Sequence, residues 1–244
     1  EMRRVVITGA GTVNPLGADV AATWAAMAAG RVAIGPLDIR DRDRLSVQIG
    51  AQVQGFEPEA HFDKAQLGML DRFAQFALVA ARQAVAQAGV DFAGDLGLRA
   101  GVVMGTAGGG LTTSDDSYRT VYEEGKARVH PFTVPRLMNN AAASHISMEF
   151  GLRGPTFSVA TACASSNHAM GLAFQMVRAG AAPVMLAGGA EAMLCFGGIK
   201  AWEGLPRCAA EIRNLRAWLA RVAYRVCMDW WRDRGRTVHY SDVL

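Results

Sequence analysis

Short runs of β-branched and apolar residues alternate along this chain with longer stretches in which apolar residues recur at helical spacing. Such alternation is typical of an α/β domain with a mainly parallel sheet and flanking helices. The runs that predict buried strands cover residues 4–8, 100–105, 157–161 and 183–189. The stretches that predict helices cover residues 19–29, 71–88, 139–149 and 169–177, and a weaker alternation at 46–53 predicts an edge strand.

Glycines and capping residues mark the ends of these elements. Asp19 stands where an N-cap belongs, and Gly30 and Gly89 stand where helices stop. The turn Gly9-Ala10-Gly11 follows the first strand and invites a dinucleotide-binding interpretation. We exclude it, because the third glycine is missing and Pro15 stands where the phosphate-binding helix would begin. The Arg–Asp-rich segment 40–44 predicts a solvated loop.

The segment FSVATACASSNHAMG, residues 157–171, joins a predicted strand to a predicted helix through a sharp turn around Cys163. A thiol at a helix N-terminus faces the positive end of the helix dipole and unpaired N–H groups. Both favour the thiolate and can hold an oxyanion. The alternative is a small, buried, inert cysteine. The small residues on both sides and the glycine-rich strand that follows favour a nucleophile that carries an acyl group.

Composition and charge narrow the class of protein. The chain has 244 residues, of which 51% are hydrophobic and 19% charged, as in an ordinary globular protein. Cysteines at 163, 195, 208 and 227 show no paired spacing, so neither a zinc site nor a disulfide framework is predicted. No apolar run reaches the length of a membrane span, and the N-terminus lacks a signal-peptide pattern. We therefore expect a cytoplasmic protein without membrane partner, metal or cofactor.

Several blocks of the sequence together resemble one family. The run from Thr161 to Ala169, TACASSNHA, resembles the nucleophile motif of β-ketoacyl-acyl-carrier-protein synthases, the condensing enzymes of fatty acid and polyketide synthesis. Further blocks agree with that family in order and spacing: VVITGAGTVNPLG, LDRFAQFAL, GVVMGTAGGG, HPFTVPRLMNN and VMLAGGAEAM. The resemblance implies a thiolase-like fold, N-terminal half only, with a synthase domain over residues 1–205 and a basic helical tail over 206–244.

The resemblance also implies site residues and partners. Cys163 would be the acyl-accepting nucleophile, and Ala107, Gly108 and Gly109 would border the acyl-chain pocket, where their small size suggests an open floor. An acyl carrier protein would dock near a basic cluster. That cluster has few basic residues here, because only Lys64 and Arg72 flank the segment QLGM. The family implies a homodimer, with its interface near residues 130–150.

The same family completes its condensation site with two histidines and a lysine in its second half. The histidines of this chain, at 61, 130, 145, 168 and 239, do not lie in those motifs. His168 is expected to be a packed helix residue. We therefore expect acyl transfer to Cys163 but no decarboxylative condensation with a malonyl carrier protein, as in a truncated synthase. An inactive remnant or binding module stays open as an alternative.

The tail differs from the rest of the chain in charge. Residues 206–244 hold eight arginines against four acidic residues, so the basic character of the chain resides there. The words RAWLARVAYRV and MDWWRDRGR resemble the helical region of extracytoplasmic-function sigma factors. Arginines and tryptophans on one helix suit phosphate contact and base stacking. Three interpretations are open: a sigma-like segment joined by rearrangement, a translation artefact, or a fusion that contacts RNA polymerase or DNA.

Overall fold

A computed structural model describes residues 3–203, so the predicted helical tail over 206–244 lies outside the described residues. The helices are α1 (Val20–Ala28), α2 (Lys64–Met69), α3 (Arg72–Ala88), α4 (Asp95–Arg99), α5 (Leu111–Tyr122), α6 (Thr133–Leu137), α7 (Ala141–Phe150), α8 (Ser165–Arg178) and α9 (Phe196–Glu203). The strands are β1 (Ile34–Pro36), β2 (Ile49–Ala51), β3 (Gly101–Gly105), β4 (Thr156–Val159) and β5 (Met185–Gly189). The predicted helices over 19–29, 71–88 and 139–149 are confirmed to within two residues.

The central sheet of the described chain is parallel, as predicted, with strand order β4-β3-β5. A separate antiparallel pair joins β1 to β2. Every residue of β3 is buried, which is the pattern of a parallel strand covered on both faces. Val102 and Met104 face the cluster that contains α3 and α7, and Val103 faces α8. Alternation along one strand therefore defines two helical layers.

Asp71 fastens α3 to α5. Its Oδ1 accepts the N–H of Phe73, which caps α3, and its Oδ2 accepts the N–H and the hydroxyl of Thr113 at 2.8 and 2.6 Å. The carboxylate is buried, and the groups that it binds lie 42 residues further along the chain. Asp71, predicted as the first residue of this helix, is therefore its N-cap, and the same side chain also fixes the first turn of α5.

The predicted first strand is absent from the described residues. Residues 4–8 run extended without strand pairing, and Ile7 is 92% exposed, so the prediction of a buried strand was wrong. The turn that follows packs on α3, where the N–H of Ala10 donates to Gln87 and the N–H of Thr12 donates to Gln83. A β-branched run forms a strand only beside a sheet edge. No strand of the described chain pairs with it.

The Arg–Asp-rich segment 40–44 is not a fully solvated loop. Asp41 adopts a left-handed conformation and accepts a hydrogen bond from the buried guanidinium of Arg119, 78 residues away. This bond lowers the pKa of Asp41. The ring of Phe196 lies 4.9 Å from the guanidinium carbons of both Arg44 and Arg119. The segment is thereby attached to α5.

Residue contacts divide the chain into two units, Glu1–Ile199 and Lys200–Leu244. Of the second unit the structure describes residues 200–203, in which Lys200 Nζ lies 2.8 Å from Glu203 Oε2. None of the helices in residues 3–203 combines the length and the apolar character that a bilayer span requires.

Candidate active site

Cys163 lies in the five-residue turn between β4 and α8. Ala162 has a φ of 50°, one of the two left-handed conformations of non-glycine residues in the described chain. The turn is closed by hydrogen bonds from the N–H of Ala164 to Thr161 O and from the N–H of Ser165 to Ala162 O, both 3.1 Å. The side chain of Cys163 is exposed. The predicted strand-to-helix elbow is therefore present, and the buried, inert alternative does not describe this cysteine.

Glycines at the ends of two strands let α8 begin directly against the sheet. A methyl group on Gly105 would overlap the backbone of Ser165, and one on Gly189 would meet the Cβ of Ser166 at 2.7 Å. Gly105 pairs with both Val159 and Gly189, so the three strands end at the same level. The first turn of α8, with its N–H groups that lack helical partners, consequently stands at the carboxyl edge of the sheet beside Cys163.

The loop that follows β3 contains the predicted acyl-pocket residues, and Glu191 holds it. The Glu191 carboxylate accepts the N–H of Ala107 at 2.7 Å and the N–H of Gly108 at 3.3 Å. The hydroxyl of Thr106 also donates to this carboxylate at 3.3 Å. Successive N–H groups thus converge on one anion, in the manner of an anion-binding backbone nest. The loop is fastened more firmly than its glycine content suggests.

The three predicted pocket residues differ in exposure. Ala107 is exposed, Gly108 is half-buried and Gly109 is buried. Gly109 has a φ of 57°, and a methyl group there would overlap the side-chain oxygen of Asn139. Glycine is required at this position for its backbone conformation and for the close approach. Contact of these residues with an acyl chain stays a prediction.

These segments meet because each follows a strand of the same parallel sheet. Cys163 follows β4, the 106–110 loop follows β3, and Glu191 follows β5. The carboxyl edge of a parallel sheet is where α/β proteins bind ligands. The sequence motifs predict the sites of Cys163 and of the glycine loop. The role of Glu191 was missed, although its carboxylate stands in the quoted block VMLAGGAEAM.

Other titratable groups lie outside this site. Burial raises the pKa of the Cys195 thiol, which disfavours its thiolate. His168 is exposed on α8, so the expectation that it is a packed residue was wrong. Within residues 3–203 no three His, Cys, Asp or Glu side chains gather in a metal-binding group.

A small polar cavity of about 100 Å³ lies away from the elbow. Its lining includes Thr113, Asp116, His130 and Arg136, and excludes Cys163 and the 107–109 loop. Burial is the main cause that raises the pKa of Asp116, with the neighbouring Asp115 adding to it. Nothing in this lining connects the cavity to the chemistry of the elbow.

The segment expected to dock a carrier protein presents fewer exposed basic side chains in the structure than its sequence suggests. Lys64 is exposed, but the guanidinium of Arg72 lies over the rings of Phe56 and Phe76 at 5.2 and 5.7 Å. Burial lowers the pKa of Arg72. Gln66 completes a capping box with Asp63. Half of the predicted basic pair is therefore engaged in packing.

Comparison with known proteins assigns the family. The sequence profile of the β-ketoacyl synthase N-terminal domain matches residues 2–214. The chain belongs to the β-ketoacyl synthase family. The described fold accordingly is the thiolase-like fold of these synthases, as predicted, with a parallel sheet between helical layers.

Individual relatives of this synthase chain agree. Nodulation protein E of Rhizobium sp. (strain N33) is 43% identical over 203 residues, which are 83% of this chain and 50% of that protein. The 3-oxoacyl-[acyl-carrier-protein] synthase 2 of Staphylococcus aureus (strain N315) is 37% identical over 78% of this chain and 46% of its own. A type II polyketide ketosynthase solved with its acyl-carrier protein is 28% identical, with a TM-score of 0.69 over 84% of this chain and 49% of its own. The chain spans about half the length of the curated relatives it matches.

Proposed function

We propose that Cys163 accepts an acyl group from an acyl-carrier-protein thioester in fatty acid or polyketide synthesis. The thiolate sulfur forms a bond to the acyl carbonyl carbon, and the bond between that carbon and the carrier sulfur breaks. The carrier leaves as a thiol after it takes up the proton that Cys163 released. The products are acyl-Cys163 and free carrier protein.

The observation that carries this proposal is the exposed thiol at the elbow between β4 and α8. The first turn of α8 supplies the dipole and N–H groups that stabilise the oxyanion of the tetrahedral intermediate. The family assignment supports the same chemistry, because the relatives include a 3-oxoacyl-acyl-carrier-protein synthase.

Acylation can be tested by the intact mass of the full chain after incubation with an octanoyl-charged acyl carrier protein. We expect one acyl adduct, mapped by peptide digestion to Cys163, and none in Cys163→Ala. Cys195→Ala is the matched control, because it removes a buried thiol outside the elbow and should retain the adduct. An adduct that persists in Cys163→Ala, or none in the native chain, would refute the assignment.

Decarboxylative condensation with a malonyl carrier protein is the second step of the proposed family activity. The first step uses groups that residues 3–203 supply, namely the elbow thiol and the helix N-terminus. We propose that this chain performs the first step. The alternative of an inactive remnant or binding module predicts binding of the carrier protein without any Cys163 adduct.

The partners form part of the same proposal. We propose an acyl carrier protein as the acyl donor, a homodimer and a cytoplasmic location, with residues 1–205 as the synthase domain. A related ketosynthase solved in complex with its acyl-carrier protein supports this choice of donor. For residues 206–244 three origins stay open: a sigma-like segment joined by rearrangement, a translation artefact, or a fusion that contacts RNA polymerase or DNA, which their net charge of +4 would suit. Binding to DNA should then weaken steeply with added salt.

A further inference from the structure

The hydroxyl of Ser165 makes two hydrogen bonds to the turn that precedes Cys163. Its Oγ accepts the N–H of Thr161 at 2.8 Å and donates to Ala162 O at 2.6 Å. Ser165 is 3% exposed and therefore buried at the start of α8, whereas Thr161 and Ala162 are exposed. One side chain therefore holds the residues that stand two and one positions before Cys163.

Ser165 is the first residue of α8, and Ala164, the N-cap, has no polar side chain to cap the helix. Both hydrogen bonds of the Ser165 hydroxyl run backward, to the turn that precedes the helix. The hydroxyl therefore acts on the elbow and not on the helix end.

The turn needs this support because of its backbone. Ala162 has a φ of 50°, a conformation that a non-glycine residue adopts only when its surroundings impose it. The carbonyl of Ala162 accepts from both the N–H and the hydroxyl of Ser165. Loss of the hydroxyl leaves the 2.6 Å bond unmade and weakens the constraint on Ala162. The thiol of Cys163, the next residue, would then be less well directed toward the first turn of α8.

We infer that Ser165 is a positioning residue for the acyl-transfer reaction of Cys163. This inference rests on the proposed function for its reaction, and on the two hydroxyl bonds for its mechanism. Ser165 does not touch the acyl group. It sets the geometry of the turn, so it acts on the rate of acyl transfer and leaves binding of the thioester unchanged.

The test compares four full-length chains: the native one, Ser165→Ala, Ser147→Ala and the double variant Ala162→Gly/Ser165→Ala. Ser147 is the matched control, because its hydroxyl donates to Leu152 O at the same 2.6 Å but lies at the far end of α7. Glycine adopts positive φ without strain, so Ala162→Gly should restore the turn without the hydroxyl. Acylation of Cys163 by octanoyl carrier protein is followed over a range of thioester concentrations.

We expect the maximal acylation rate of Ser165→Ala to fall about tenfold, as the loss of one buried hydroxyl interaction predicts. The thioester concentration that gives half the maximal rate should not change. Ser147→Ala should acylate at the native rate, and the double variant should recover part of the loss. A native rate in Ser165→Ala, an equal loss in Ser147→Ala, or no recovery in the double variant would overturn the inference.

Alkylation by iodoacetamide separates this inference from the proposed function. If the native chain is not acylated, the proposed function fails. The labelling rate of Cys163 by iodoacetamide, read by peptide mass, then decides the positioning role alone. A rate altered in Ser165→Ala but not in Ser147→Ala supports it, and a rate equal in all chains overturns it.

Discussion

The two faces of the parallel sheet are covered in different ways. On one face, α3 and α7 bury large side chains, including Phe73, Leu78 and Ile146, against Val102 and Met104. On the other face, α8 buries only the small residues Ser165, Ala169 and Ala173. Some of its larger side chains stay partly in water, so that Leu172 is 43% and Phe174 is 41% exposed.

The two faces of the sheet therefore serve different purposes: one contributes mainly to folding stability, and the other positions the site. Burial of large apolar side chains is the main favourable term in folding, so the face of α3 and α7 supplies most of the packing energy. Small residues on α8 let that helix approach the sheet closely, and its N-terminus thereby reaches the strand ends beside Cys163. Close approach serves the site, because the dipole effect falls off within the first turn.

The largest expected effect is a contrast between two phenylalanines. Phe73→Ala should lower the free energy of unfolding by about 3–5 kcal/mol, because the side chain is fully buried and leaves a cavity. Phe174→Ala, the same change on the α8 face, should cost under about 1 kcal/mol, since its side chain is already partly in water. Urea denaturation of the full chain measures both. Equal losses of unfolding free energy would show that the α8 face is covered, and the two faces would then not differ as described.

The next effect concerns the buried carboxylate that ties α3 to α5. Asp71→Ala removes three hydrogen bonds, two of them to Thr113, and should cost roughly 2–3 kcal/mol. Asp63→Ala is the matched control, since Asp63 also caps a helix, α2, but is exposed. The control should cost only about 1 kcal/mol, the ordinary value of a cap. If the two variants unfold at the same urea concentration, the link to α5 contributes nothing.

The sequence predicts the elements that have local signals, on both faces of the sheet. Helix periodicity located α3, and the run over residues 157–171 located the elbow, because those signals are local. The prediction for residues 4–8 was wrong, since a strand also depends on a neighbour that local pattern does not reveal. The hydrogen bonds that Arg119 donates to Asp41 and that the N–H of Ala107 donates to Glu191 join residues 78 and 84 positions apart. Such pairs form only in the tertiary fold, so composition and spacing do not predict them.

A smaller effect is expected at the loop beside the elbow. Glu191→Gln removes the charge that receives the N–H groups of Ala107 and Gly108, and the amide group offers one acceptor in place of two oxygens. Because Glu191 is exposed, we expect amide hydrogen exchange in this loop to accelerate only about fivefold. Exchange followed by peptide mass measures it. Glu124→Gln, which disturbs a surface pair with Lys126, is the control. Equal exchange rates in the native chain and in both variants would contradict the role of Glu191 in holding this loop.

The smallest effect is a pH dependence that belongs to the packed face. His145 lies half-buried on α7, and burial lowers its pKa below the ordinary value of 6.5, although Met69 O and Glu149 oppose this shift. The folded state therefore favours neutral imidazole, and the unfolded chain takes up a proton more readily. The free energy of unfolding should fall as the pH drops below about 6.5, and the loss should level off once the folded state is protonated as well.

Replacement of this histidine tests the sign. His145→Gln should flatten the decrease in unfolding free energy between about pH 7.5 and pH 5, by well under about 1 kcal/mol. His168→Gln makes the same change on the exposed side of α8, so the difference between the two variants isolates the contribution of the packed face. Urea midpoints at five or six pH values resolve a shift of this size. A steeper acid loss in His145→Gln than in the native chain would mean that the folded state prefers the charged imidazole, and that the α7 layer is more hydrated than its burial indicates.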